Sequence, residues 1–431
     1  MTQFDPSRSN RYTGNLSVKI VIDEREVGIL DSQQIVECYF IEDIFKYNLS
    51  GKLTFYDTEG IYENAPFTGN EMLVLVYGTD EIREITFHVW KVVNITQVSN
   101  VHSTTKNIIE LFFVDTAFYN TMMRDFSRSF PKNTLHSDIV KHLLKNMIGF
   151  PDKDINIERS SSKILKDWVM PGWSVADSIG WLASRASGEK SGTSGYLCYN
   201  STQETWKANF VTLNYLFSEN NVIDANDFIF EGDNTTTPNK ILEWWVNGTD
   251  KSTMRTVFGG RWHGIDTSKK ELIKEELKFT DGLSKTVLLG KKSYFPDVSD
   301  AACSCRITGD IRADLKNNFY NEWVKRYSLQ NAVNILIEGN EKRYAGHQIR
   351  IMWPSINKTT QIYDKQKEGK YLIKSITHNF TGGGRNINYM QRIVLLKNAF
   401  EDSNSSSLVK ATRMNILQST RNARSFLLGG R

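Results

Sequence analysis

The sequence predicts a β-rich α+β fold: two β-domains of barrel or sandwich type, a small α+β module inserted between them, and a C-terminal extension. Three observations predict it. Short runs of β-branched and aromatic residues, punctuated by Gly, Asn, Asp and Thr, fill residues 15–117. Helical periodicity replaces them after 118. Toward residue 400 the strand order echoes that of the first region, as a diverged internal duplication would. The division is therefore 1–117, 118–220, 221–400 and 401–431.

In the first domain, Leu16–Ile22 alternates roughly and is followed by a turn at Glu24-Arg25-Glu26. Gln34–Ile41 and Gly51–Asp57 come next, and in the second of these Leu53 and Phe55 share one face while Lys52 and Thr54 share the other. Met72–Tyr77, Ile85–Thr96 and Ile108–Val114 complete a set of six short strands, a spacing that suits a barrel or sandwich.

The inserted module begins with Thr134–Ile148, where Leu135, Ile139, Leu143 and Met147 recur at four-residue steps. Val140, Leu144 and Ile148 widen that stripe, and Gly149 supplies a stop. A second helix starts at Ser174, with Asp177 three residues on as a variant capping box, and ends before Gly188. A hairpin follows, from Gly195–Tyr199 through a polar turn to Trp206–Leu213.

From about 222 the pattern is β-like again, with Ile241–Val246 and Met254–Phe258 as strands. Residues 260–300 are polar and carry no clear period. Ile311–Tyr327 reads as a helix with Ile311, Leu315, Phe319 and Trp323 on one stripe. Three strands then follow: His347–Trp353, Lys370–His378 and Tyr389–Leu396, the last two joined through Gly382-Gly383-Gly384. Gly339-Asn340-Glu341 precedes this trio, just as Gly69-Asn70-Glu71 precedes the last three strands of the first domain. After Asp402 the extension has no acid and five basic residues, Lys410, Arg413, Arg421, Arg424 and Arg431, among scattered apolar ones. It reads either as a free terminus or as a segment that docks on a partner.

Composition narrows the function classes. With 53 basic and 49 acidic residues the net charge is only +4, so charge makes no case for a dedicated nucleic-acid binder. Cys303 and Cys305 are spaced C-x-C, which suits no zinc knuckle. In an extended segment their Cα atoms would lie about 6.5–7 Å apart, at the limit for a disulfide. All four cysteines, Cys38 and Cys198 included, read as free thiols of a reducing compartment. Neither a secretory leader nor a membrane span is expected.

The motifs of common enzymes are missing. There is no P-loop, no Gly-x-Ser-x-Gly elbow and no His-Glu-x-x-His. The seven histidines are dispersed, and His88 and His378 sit in β patterns as sheet-packing residues. Glu42-Asp43 and Glu271/Glu275/Glu276 are the acid pairs nearest in sequence that a glycosidase could use, and both read as solvated charge. Trp173 and Trp181 read as core rather than as a glycan platform. Trp244 and Trp245 are adjacent on a strand and so face opposite ways, one toward a core and one toward an outer, subunit-facing surface. No catalytic, cofactor or metal residue is expected.

Three stretches together resemble the central hub of contractile, T-even-like phage-tail baseplates: Ile41–Asp57 with Phe67–Val76, Asp167–Ala186 with the hairpin from Gly195, and Ile337–Asn340 with Gly346–Ile351 and Gly369–His378. The likeness spans about 15–400, and neither 255–300 nor the extension has a counterpart in it. It implies two tube-type β-domains per chain, so that a homotrimer offers six around a ring to a hexameric tail tube. It also implies a central spike on the opposite face and baseplate wedge proteins outside, which residues 401–431 could meet. DNA would pass through the lumen unread. The location would be the virion tail baseplate, assembled in the host cytoplasm. Gly51, Phe55, Gly69 and Glu71 in the first domain and Gly339, Gly346, Gly369 and Tyr371 in the second are the expected fold-defining positions, with Trp244 and Trp245 as interface candidates. A tail-carried cell-wall hydrolase and a carbohydrate-binding tail module are the competing readings.

Overall fold

A computed structural model describes residues 13–64, 67, 69–98, 105–164, 167–188, 196–203, 205–218, 228–229, 240–246, 259–266, 270–278, 292–293, 304–307, 321, 332–353, 364, 367–382 and 387–400. The expected strand at 254–258, all of the 311–327 helix except Asn321, Cys303, Gly383-Gly384 and the extension after 401 lie outside them.

The β-rich reading holds. The first region forms β1 (Thr13–Ile22), β2 (Arg25–Leu30), β3 (Ile35–Asp43), β4 (Ser50–Tyr56), β5 (Met72–Gly78), β6 (Arg83–Val98) and β7 (Thr105–Asp115). β2 was not expected. The turn before it falls at Asp23-Glu24, both with left-handed φ (47° and 64°), which frees Arg25–Leu30 to pair with β1.

The inserted module carries α1 (Thr116–Met122), α2 (His136–His142), a π-helical turn at Leu143–Ile148, β8 (Ile155–Ile157), α3 (Val175–Arg185), β9 (Tyr196–Ser201), β10 (Lys207–Thr212) and α4 (Leu213–Phe217). The expected signals act as read. Gly149 takes φ 96° and ends the helix by donating to the Leu144 carbonyl. Ser174 caps α3 by accepting from the Asp177 N–H at 3.1 Å and donating to the Asp177 carboxylate at 2.7 Å. At the other end of α3, the buried Asn321 amide donates to the carbonyls of Ala183, Ser184 and Ala186.

The last region supplies β11 (Ile241–Val246), β12 (Ala332–Glu338), β13 (Gln348–Met352), β14 (Gly369–Thr381) and β15 (Ile387–Leu396). A separate small sheet joins Gly259–Asp266, Glu271–Lys278 and Ser304–Ile307. β12 was not singled out from sequence, although Val333, Ile335 and Ile337 share a buried face.

The hairpin β14–β15 organises the molecule. Its outer half closes the first region into a ring of eight strands: β1-β5-β6-β7-β4-β3-β14-β15, with β15 returning to β1 through Gly14↔Ile387 and Thr13↔Asn388. Its inner half lies in a second sheet ordered Phe228–Ile229, β13, β14, β15, β12, β11. β14 pairs with β13 up to Leu372 and with β3 from Ser375, and a bulge between Ile373 and Ser375 marks the handover. An extra residue on one strand bends it, which is what a strand passing from one sheet to another needs. The side chains divide the same way. Phe380, Ile387 and Tyr389 join the core of the first ring, beside Phe40, Tyr77 and Phe113. Ile373, Ile376, Ile393 and Leu395 join the core under β11–β13. Each such buried side chain contributes about 1.5–3 kcal/mol, so the hairpin is anchored in both cores at once.

Candidate functional site: the polar junction and the tryptophan edge

Where ring, inserted module and second sheet meet, the contacts are polar and fully enclosed. Glu42 on β3 is completely buried. Its carboxylate accepts from the Thr202 hydroxyl and N–H (the latter at 3.3 Å), from the Ala345 N–H at 3.1 Å, and faces His378 Nε2 at 3.2 Å. His378 Nδ1 lies 2.7 Å from the Tyr389 hydroxyl, and its ring stacks on Phe40 at 4.3 Å. The Gln391 amide donates to the Tyr389 oxygen (2.9 Å) and the Asn340 carbonyl (2.7 Å), while Arg343 donates to Gln391 at 2.9 Å. Burial holds the Tyr389 phenol well above its ordinary range, so it stays neutral. Buried polar groups are tolerable when each finds a partner, and this chain of partners runs through all three parts of the molecule.

Glu341 makes a second joint. Its carboxylate accepts from the Thr79 N–H (2.9 Å), the Thr79 hydroxyl (2.7 Å) and the Glu81 N–H (3.0 Å), tying the loop after β12 to the β5–β6 turn. Burial raises its carboxyl, but those hydrogen bonds outweigh burial and the net shift is downward.

The residues expected to define the fold scatter across these joints and the cores. Phe55 is fully buried in the first ring. Gly51 lies inside β4, where a Cβ would stand 2.1 Å from the Tyr39 carbonyl oxygen and 2.6 Å from the Phe113 ring, so it serves close packing. Gly69 has φ 108° and donates its N–H to both oxygens of the buried Glu71 at 2.9 and 3.0 Å. Gly339 lies against Tyr389, Gly346 under the Tyr199 hydroxyl, and Gly369 opens β14. Tyr371 is buried and donates to the Lys367 carbonyl.

The tryptophan pair departs from expectation. Among the described residues β11 ends the second sheet, and both indoles stay partly exposed, Trp244 at 45% and Trp245 at 38%, beside Val246 at 48%. Trp244 packs edge-on against Trp353 at 4.7 Å, and Trp245 lies under the Arg392 guanidinium at 5.5 Å. Neither is buried, although as adjacent strand residues they face opposite sides of the sheet.

Glu42-Asp43 also differ from their reading as solvated charge. Both are buried, Glu42 in the network above and Asp43 against Lys374 at 3.5 Å. A sugar cannot reach Glu42, whose oxygens are already engaged by protein donors. Glu271 is exposed on its strand. Trp181 is stacked on Trp168 at 4.8 Å and covered by Arg185 at 4.0 Å, so its ring is engaged within the chain. His378 is the sheet-packed residue expected, yet sequence reasoning missed its pairing with Glu42 across 336 positions. Among the described residues no cluster of His, Cys, Asp and Glu converges on a metal position, and no helix is long and apolar enough to cross a membrane.

No protein-family model matches the chain, and no curated protein sequence does. Solved structures share its fold. The tail protein from Neisseria meningitidis MC58 superposes with a TM-score of 0.56 at 10% identity, over 89% of this chain and 96% of that one. The 43 kDa tail protein of prophage MuSo2 from Shewanella oneidensis gives 0.55 at 10% identity, over 89% and 98%. At such identity the likeness is one of fold, and it runs through ring, module and second sheet alike.

Proposed function

We propose that this chain is a structural tail protein: the hub of a contractile-tail baseplate, a homotrimeric adaptor between a hexameric tail tube and a central spike. The observation that carries the reading is coverage. The likeness to two tail proteins takes in 89% of this chain and at least 96% of each of them, so it is not a borrowed module. The hairpin shared by two sheets adds a mechanical argument, since a rigid adaptor must hold its two β-units in a fixed relation.

The strand order supports two units of common plan. In the ring, six neighbours run β1-β5-β6-β7-β4-β3; in the second sheet they run Phe228–Ile229, β13, β14, β15, β12, β11. Matched position by position, Gly69-Asn70-Glu71 falls between β4 and β5 and Gly339-Asn340-Glu341 between β12 and β13. One departure is the first pairing, parallel for Phe228–Ile229 with β13 but antiparallel for β1 with β5. Two such units in each of three chains would present a nearly sixfold face to the tube. Heterologous contacts would close the ring, with wedge proteins outside, met through 401–431, and DNA passing the lumen without specific binding. The role is non-enzymatic.

Native mass measurement with negative-stain imaging of the purified full-length chain tests this. A mass three times 49.5 kDa and a ring with a central hole are expected. A monomer that clears peptidoglycan overturns the reading in favour of a tail-carried hydrolase.

A further inference from the structure

Asp115 sits where the ring hands over to the inserted module. It is the last residue of β7 and the N-cap of α1. It is completely buried. Its Oδ2 accepts from the Leu49 N–H at 2.7 Å, in the β3–β4 connection of the ring. Its Oδ1 accepts from the Phe118 N–H at 2.6 Å and from the Asn200 amide of β9 at 3.3 Å. No cation pairs with it among the described residues. Two further polar atoms nearby are orphans: Asn200 Oδ1 and the Tyr47 hydroxyl are both buried without a hydrogen-bond partner.

A buried carboxylate with only neutral donors, beside an unused amide oxygen, is an arrangement that a proton completes. An amide turned over presents its oxygen where its nitrogen stood, and only a protonated carboxyl can donate to it. We infer that Asp115 is a proton-dependent latch between the ring and the inserted module, closed as a carboxylic acid–amide pair with Asn200.

The surroundings agree. Tyr47 from the β3–β4 connection interacts with Asp115 and with Cys198 of β9, and burial raises both the phenol and the thiol well above their ordinary ranges, so both are neutral. On β6, His88 stacks on Tyr119 of α1 at 3.5 Å, with its Nδ1 at 3.1 Å from the Val89 carbonyl. Burial pushes the Asp115 carboxyl up to about 7, against the lowering effect of its three hydrogen bonds. When the joint opens and the group meets water, its pKa returns to about 3.9. Between those values the closed joint holds one proton more than the open one. Closure is therefore favoured at low pH and weakens as pH rises, until the folded group is fully ionised.

Hydrogen exchange of the full chain between pH 5 and 8, corrected for intrinsic rates, tests the latch at the amides of Leu49, Phe118 and β9. Protection should fall with rising pH, by up to about tenfold per unit below pH 7, and Asp115→Asn should remove that slope. A slope unchanged in Asp115→Asn, or flat protection in the wild type, overturns the latch. Should Asp115→Asn fail to fold, carboxyl-labelled wild-type protein decides: an Asp resonance titrating between pH 6 and 8 upholds the latch, and none titrating above 5.5 overturns it.

Discussion

Gly69-Asn70-Glu71 and Gly339-Asn340-Glu341 spell the same tripeptide and do different work. Gly69 needs its glycine for the backbone: φ is 108°, and an added Cβ would meet nothing within 4 Å. Gly339 needs its glycine for space, since a Cβ would stand 2.2 Å from the Tyr389 ring. Glu71 folds back on its own loop through the Gly69 N–H. Glu341 reaches across 262 positions of sequence to Thr79. One tripeptide closes a loop and the other clamps two parts of the molecule. Identical local sequence marks a place in the strand order, and the neighbours decide what that place does.

The largest expected effect separates the two glycines. Gly339→Ala should destabilise by about 3 kcal/mol or more, because the methyl overlaps a ring that is locked between β12 and the His378 network. Gly69→Ala should lose only about 1–2 kcal/mol, the penalty of a left-handed backbone for an L-residue in open space. Denaturant unfolding of both variants checks the order, and equal losses would break the comparison.

The glutamates sharpen it. Glu341→Gln removes charge-assisted hydrogen bonds at a joint and should lose about 1.5–3 kcal/mol near neutral pH. The sign with pH follows from the lowered carboxyl. A carboxylate whose folded pKa lies below its unfolded value of about 4.3 stabilises above that value and loses its contribution as pH falls through the folded one. The gap between wild type and Glu341→Gln should therefore close in acid. A gap that stays constant from pH 6 to pH 3 would mean that the clamp is not ionic. Glu71→Gln should be milder, because the Gly69 N–H bonds that it weakens lie two residues away in the same loop.

How much of this was legible in the sequence depends on range. Strands, the Ser174 cap and the Gly149 stop are local, and alternation or a three-residue spacing reveals them. Sharing of β14 between two sheets is not local, yet a trace of it is printed in the chain. Tyr371 and Ile373 share one phase with Ser375 due next, whereas the alternation resumes one residue later at Ile376, with His378 and Phe380 after it. That slip of one residue is the bulge. Glu42, Thr202, Ala345 and His378 left no such trace, because their partners stand 160 to 336 positions away. A sequence-local view of Glu42-Asp43 sees two adjacent acids and infers water. The fold supplies donors instead.

The smallest effect on stability, and the most telling for assembly, concerns the ends of the two units. The first closes on itself through β15 and β1, so its strands find partners all round. Among the described residues the second ends at β11, whose indoles remain partly exposed. An exposed edge strand with apolar side chains invites another chain, and a lysine on such an edge discourages it. Trp245 is partly exposed and lies under Arg392, and a lysine stem can lie along the same surface, so Trp245→Lys should shift monomer stability by less than about 1 kcal/mol. It should nonetheless raise the concentration needed for self-association at least tenfold, measured by sedimentation or mass photometry. A comparable substitution on the outer face of the closed ring, Trp90→Lys, removes an indole that is more exposed still, at 58%, yet belongs to a strand paired on both sides. If Trp90→Lys weakened association and Trp245→Lys did not, subunits would join through the ring wall, and the open end of the second sheet would have another use.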